Sequence, residues 1–209
     1  MRRFLLLLPF ALAVGCASSS PQKQPPEAPD LDYPVGAFKL TDSTGKTVTD
    51  ADLKGKVWVA SFIFTNCSGP CPHVSATMAK LRGEMPSPDD LLFVSFTVDP
   101  ERDTPAKLQE YAKNFNAKPD RWLFLTGPEK DVHELLTKRF KQAVEKNTAK
   151  DVKPGEEIFH SSRLAVVDRK GVIRGVFDGV PSQNQPDADK AFEENLARLK
   201  KKVVKLLDE

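Results

Sequence analysis

The chain has 209 residues, 40% hydrophobic and 29% charged, enough for one medium domain and a short appendage. Its formal charge is +2, and setting aside residues 1–15 with Arg2 and Arg3 leaves Lys+Arg equal to Asp+Glu at 29. A chain so near neutrality carries no basic footprint for nucleic acid, and that class is excluded.

Arg2 and Arg3 precede an apolar run from Phe4 to Val14 that is too short to span a bilayer comfortably, which predicts a cleaved export signal. The run ends in Ala13-Val14-Gly15-Cys16, which resembles a bacterial lipobox. That resemblance implies a lipid on Cys16 and a membrane anchor in place of a transmembrane helix. An ordinary signal peptide with an incidental cysteine is the other reading. Residues 17–33 are rich in Ser, Pro and Gln, cannot bury a core, and are expected to form an extended tether. The folded domain is placed at residues 34–209.

Phe38-Lys39-Leu40 and Lys46-Thr47-Val48, around Gly45, predict a small N-terminal hairpin. The apolar run Val57 to Phe64 suits a strand buried on both faces. Val74, Met78, Leu81 and Met85 then recur at helical spacing. Leu91 to Val98 is a second buried strand, followed by a helix with Thr104 as N-cap and Pro105 in the first position. Leu123 to Leu125 is a short strand and Pro128 to Phe140 a helix. Residues 141–157 are polar and form a long loop or an extended hairpin. Arg163–Asp168 and Val172–Phe177 pair around Arg169-Lys170-Gly171, and Phe192, Leu196, Leu199, Val203 and Leu206 give a closing helix its apolar face. This order predicts an α/β, thioredoxin-like fold with an N-terminal hairpin and an inserted polar loop or hairpin before the last strands.

Three cysteines are too few and too unevenly spaced for a disulfide-stapled domain. Cys67 and Cys71 instead share one loop, Asn66-Cys67-Ser68-Gly69-Pro70-Cys71-Pro72-His73, at a strand-to-helix junction, where ligand sites of open α/β sheets lie. Pro72 disfavours a helical conformation at Cys71, so Cys71 is expected at the N-cap, where free N–H groups favour a thiolate. Two soft thiolates suit Cu(I), and a third ligand would complete a trigonal site. His160, in the loop entering the strand 163–168, is the candidate because that loop passes beside the cysteines in a thioredoxin fold. His73 is a weaker candidate, more readily a helix-start side chain tuning the thiols, and His133 is expected on a solvated helix face. Asp99 ends a strand and either sits near the site or merely forms an Asp-Pro turn. The segment Ile158–Ser162 lacks proline, and three residues separate the cysteines; both features weaken a general disulfide-exchange role.

Phe64 to Pro72, with its Cys-x-x-x-Cys-Pro loop, Ser95 to Pro105, and His160 with Arg163 to Asp168 and Gly171 together resemble the three signatures of the Sco/SenC family. The resemblance implies copper held by Cys67, Cys71 and His160, with Asp99 and His73 as candidates for supporting these ligands. It further implies delivery to the binuclear copper centre of cytochrome c oxidase, or reduction of that centre's thiols. The partners expected are a copper-receiving oxidase subunit or another cuproprotein, and a membrane through the N-terminal lipid, with the domain extracytoplasmic (periplasmic). A thiol-disulfide oxidoreductase using Cys67 and Cys71 without metal is the alternative. A peroxidase is disfavoured, and zinc remains open on ligand chemistry alone.

Overall fold

The computed structural model describes residues 31–86, 88–182 and 187–209. The leader, Cys16 and nearly all of the tether lie outside the described residues.

A sheet in the strand order β1-β10-β9-β4-β5-β6-β2-β3 organises the chain. At one edge, β2 (Lys39–Asp42) and β3 (Thr47–Thr49) form the expected hairpin, which adds to β6 (Trp122–Thr126). At the other edge, β1 (Tyr33–Pro34) pairs with β10 (Val172–Asp178). A short helix α1 (Asp50–Leu53) leads into the centre. The central strands β4 (Val57–Ile63) and β5 (Leu91–Thr97) are parallel and buried at every position, as their nearly continuous apolar runs predict, with the buried Ser61 and Ser95 hydroxyls bonded to each other at 2.7 Å. Residues of α2 (Cys71–Glu84), α3 (Pro105–Lys113) and α5 (Ala188–Asp208) pack into one core with the sheet. Thr104 caps α3 through its hydroxyl, which accepts from the Lys107 N–H at 3.4 Å.

The expected helix over 128–140 divides into α4 (Glu129–Glu134) and a π-helical turn, Leu135–Arg139, closed by Phe140 N–H to Leu135 O at 3.3 Å. The wider turn accompanies burial of Leu135, Leu136 and Phe140, with the Phe140 ring 5.2 Å from Phe62 and 5.4 Å from Phe96. Residues 141–157 belong to an extended hairpin: β7 (Val144–Lys146) pairs with β8 (Ile158–His160) in a separate two-stranded sheet.

The direction of β9 (Arg163–Val167) positions the site. It pairs antiparallel with β4, Trp58 opposite Val167 and Ala60 opposite Ala165, so its first residues lie at the end where β4 finishes. The chain therefore enters β9 beside the loop that leaves β4, and it enters through His160.

Candidate metal and dithiol centre

Cys67 lies in the loop after β4 and is half-buried; Cys71 opens α2 and is fully buried. Cys71 is not the N-cap. Pro70 holds that place in a helical conformation (φ −76°, ψ −19°), with Cys71 first and Pro72 second in the helix. The steric bias of a pre-proline residue is overcome by burial of the Cys71 side chain and by the first-turn bond from Val74 N–H to Pro70 O at 2.9 Å. Proline costs little in a first turn, whose N–H groups have no intrahelical acceptor. No disulfide joins Cys67 and Cys71 in this structure.

The donor atoms of Cys67, Cys71 and His160 lie within 4.8 Å of one another. His160 Nε2 is 3.2 Å from Cys71 Sγ across 89 residues of sequence. The other ring nitrogen, Nδ1, donates to the Ser161 carbonyl at 3.1 Å, which orients the ring with Nε2 facing the sulfurs. The ring also packs edge-on against Phe64 at 5.8 Å. Support for the imidazole thus comes from a backbone carbonyl, while the preceding Phe159 is 59% exposed.

The two thiols are unequal. The Cys71 thiol beside Cys67, aided by the His160 ring and by backbone N–H groups of Cys71 and Gly69, outweighs burial and holds the Cys67 thiol down at about 4. The same hydrogen bond to Cys67, followed by burial, pushes Cys71 well above the ordinary thiol range. One thiolate and one thiol share a proton in this arrangement, and the thiolate sits on the more accessible sulfur.

Behind the loop lies a carboxylate to which the sequence reading assigned no role. Asp103, 1% exposed, accepts from the Thr65 N–H at 3.0 Å and from the hydroxyls of Thr65 and Thr97 at 2.5 Å each. It ties the ends of β4 and β5 to the start of α3, and burial raises its pKa. Its position in an Asp-Thr-Pro capping sequence masked it as a turn residue.

Asp99 is buried and ion-pairs with Arg102, which also contacts Glu157 Oε1 at 2.7 Å. It faces the hairpin through Arg102. His73 is exposed on α2 and is not among the three converging donors. His133 departs from expectation: it is half-buried, and its Nε2 bonds the Val98 carbonyl at 2.9 Å, because α4 packs over the end of β5. Gly155 (φ +91°) lies directly on the cysteine loop: a Cβ there would fall 2.6 Å from Asn66 O and Ser68 N. Its own carbonyl accepts from the Ser68 N–H at 3.3 Å.

Fold and centre together define a thioredoxin-like α/β protein with a dithiol–imidazole centre at the end of its central strand. The SCO1/SenC family model matches residues 27–193, and the chain belongs to that family. The "SCO1 protein homolog" of Bacillus subtilis is 35% identical over 83% of this chain and 86% of its own length. A solved structure described as BsSco, "a member of the Sco family of cytochrome c oxidase assembly proteins" with a disulfide switch, covers 83% of this chain and 98% of that one at 32% identity and TM-score 0.63. Bradyrhizobium japonicum ScoI, solved with copper bound, covers 78% and 98% at 27% identity and TM-score 0.55.

Proposed function

We propose that this chain is a membrane-tethered, extracytoplasmic copper-binding protein that serves assembly of the copper centre of cytochrome c oxidase. The observation that carries the reading is the convergence of Cys67, Cys71 and His160 donor atoms within 4.8 Å, drawn from segments 89 residues apart. Two sulfurs and one imidazole are a soft, low-coordinate donor set, which favours Cu(I); a structural zinc site would call for a fourth ligand. The copper-bound relative and the oxidase-assembly relative support this choice of metal and pathway. The export leader ending in Cys16 supplies the tether, and among the described residues no helix is long and apolar enough to cross a membrane.

The inequality of the thiols supports a second use of the same centre, reduction of an acceptor's disulfide. The Cys67 thiolate attacks one sulfur of that disulfide, forming a mixed disulfide and releasing the first acceptor thiolate. Cys71 then gives up its proton to a released thiolate and attacks Cys67 Sγ. The second acceptor thiolate leaves, and Cys67–Cys71 becomes the disulfide, having passed two electrons.

The test is titration of the reduced protein with Cu(I) against a competing chelator, beside His160→Ala. Changing a residue that merely supports a ligand costs roughly 10–100-fold in metal affinity, so losing the ligand itself should cost at least the upper end. Binding at one equivalent that collapses in the variant is expected. Binding indifferent to His160 would leave the dithiol reaction as the function.

A further inference from the structure

The hairpin that carries His160 shares no ladder with the main sheet, so other contacts must hold the imidazole at the thiols. Ile158 is buried, but Glu145, Lys146 and Phe159 are exposed and Val144 is only half-buried, so apolar packing alone gives the hairpin little purchase. Apart from His160 Nε2 against Cys71 and the Gln142 N–H to the Leu136 carbonyl, its polar contacts with the rest of the molecule converge on two places. Lys146 Nζ meets Glu129 at 2.9 Å and Glu101 at 3.8 Å, but Lys146 is 60% exposed, and such pairs contribute little.

The other contact is of a different kind. Arg102 directs Nε to the buried Asp99 carboxylate and Nη1 to Glu157 Oε1 at 2.7 Å. Glu157 Oε2 in turn accepts from the Gly155 N–H at 2.8 Å, while Oε1 also faces Asn66 Nδ2 at 3.4 Å. Gly155 O receives the Ser68 N–H. Asn66 and Ser68 flank Cys67, and Glu157 precedes His160 by three residues at the start of β8. One guanidinium therefore fixes the carboxylate that touches both the segment bearing the thiols and the segment bearing the imidazole. The buried Asp99 anchors the guanidinium from the side of the central sheet.

We propose that Arg102 is a positioning residue for His160: through Glu157 it locks the β7–β8 hairpin onto the cysteine loop and sets the third ligand against the two sulfurs. The proposal rests on the reading of Cys67, Cys71 and His160 as the metal site. The role calls for arginine, because a planar fork reaches two carboxylates from different nitrogens, whereas an ammonium is a single point charge on a flexible stem. The Asp99-Pro100-Glu101-Arg102-Asp103 turn brings the pair together, with Arg102 Nε on the Asp99 carboxylate three residues earlier.

The experiment uses the full chain, reduced and metal-free, in detergent, with Arg102→Gln, Arg102→Lys, Glu157→Gln, His160→Ala and the remote control Lys138→Gln. Amide hydrogen exchange is followed at Ser68 and Asn147, whose N–H groups bond Gly155 O and Glu157 O, and at β4 and β5 as an internal reference. Arg102→Gln and Glu157→Gln are expected to speed exchange at Ser68 and Asn147 about tenfold, with β4 and β5 unchanged and Arg102→Lys intermediate. Cu(I) retention against the chelator should fall about tenfold in the same two variants, the lower end for a residue that orients a ligand. Unchanged hairpin exchange in Arg102→Gln overturns the proposal. So does faster exchange with undiminished Cu(I) retention in a protein whose retention does depend on His160. If His160→Ala itself leaves retention intact, the metal reading fails and the positioning role falls with it, a result visible in that variant alone.

Discussion

Replacing Asp103 by alanine should loosen the platform beneath the cysteine loop, and the structure allows the effect to be sized. Three donors point at this carboxylate: the Thr65 N–H and the hydroxyls of Thr65 and Thr97. The backbone N–H cannot turn away, and leaving a buried donor unpaired costs roughly 1–3 kcal/mol. The hydroxyls can rotate and lose less, about 1 kcal/mol each. Against this stands the relief of a carboxylate whose pKa is raised by burial. The net loss expected for Asp103→Ala is about 3 kcal/mol, or roughly 6–12 °C in melting temperature for a domain of this size. Asp103→Asn keeps the shape and one acceptor and should lose about 1 kcal/mol. Urea and thermal unfolding of the reduced protein read both variants. The sign of the pH dependence is a second check. A folded-state pKa above 3.8 means that the contribution of this group is full below that value and declines as pH rises through the raised pKa. The advantage of wild type over Asp103→Asn should therefore narrow as pH rises above 3.8. An Asp103→Ala variant within 1 kcal/mol of wild type, or an advantage that widens with pH, would refute the reasoning.

Alkylation of the reduced protein by iodoacetamide should follow a thiolate on Cys67 with a midpoint at about 4 rather than the ordinary 9.0, and Cys71→Ala should move it upward because the first cause of the depression is removed. By linkage, Cys67 stabilises the fold fully above 9.0 and loses that contribution as pH falls through about 4, while the contribution of Cys71, raised, is full below 9.0 and declines as pH rises above it. A wild-type midpoint near 9 would contradict both statements. Phe96→Ala should cost about 3–5 kcal/mol in urea unfolding, because the ring is fully buried among Phe38, Trp58, Phe62 and Phe140. Phe159→Ser, at a side chain 59% exposed, should stay within about 0.5 kcal/mol of wild type.

Much of the architecture is written locally. The nearly continuous apolar runs at 57–63 and 91–97 suit a strand covered on both faces, and Thr104-Pro105 marks a helix start by its own chemistry. The Cys-x-x-x-Cys pair at a strand-to-helix junction marks the centre on the same grounds. Local preference misled at Cys71 and at His133. In the first, burial of the side chain overrode the pre-proline bias; in the second, a helix surface became an interface only once α4 packed over β5.

What tertiary structure alone decided is the assembly of the centre. His160 reaches the thiols because β9 runs antiparallel to β4, and the arm that carries it, with Gly155 and Glu157, is tied to the cysteine loop and to Arg102 in the turn after β5. Cys67 and Cys71 differ in acidity because they share one proton across the hydrogen bond between them, with the deeper burial of Cys71 adding to the difference. None of these relations is encoded in a short window of sequence. A residue's type and spacing fix what it can ligate or donate, but burial and the direction of neighbouring strands fix which partners it meets.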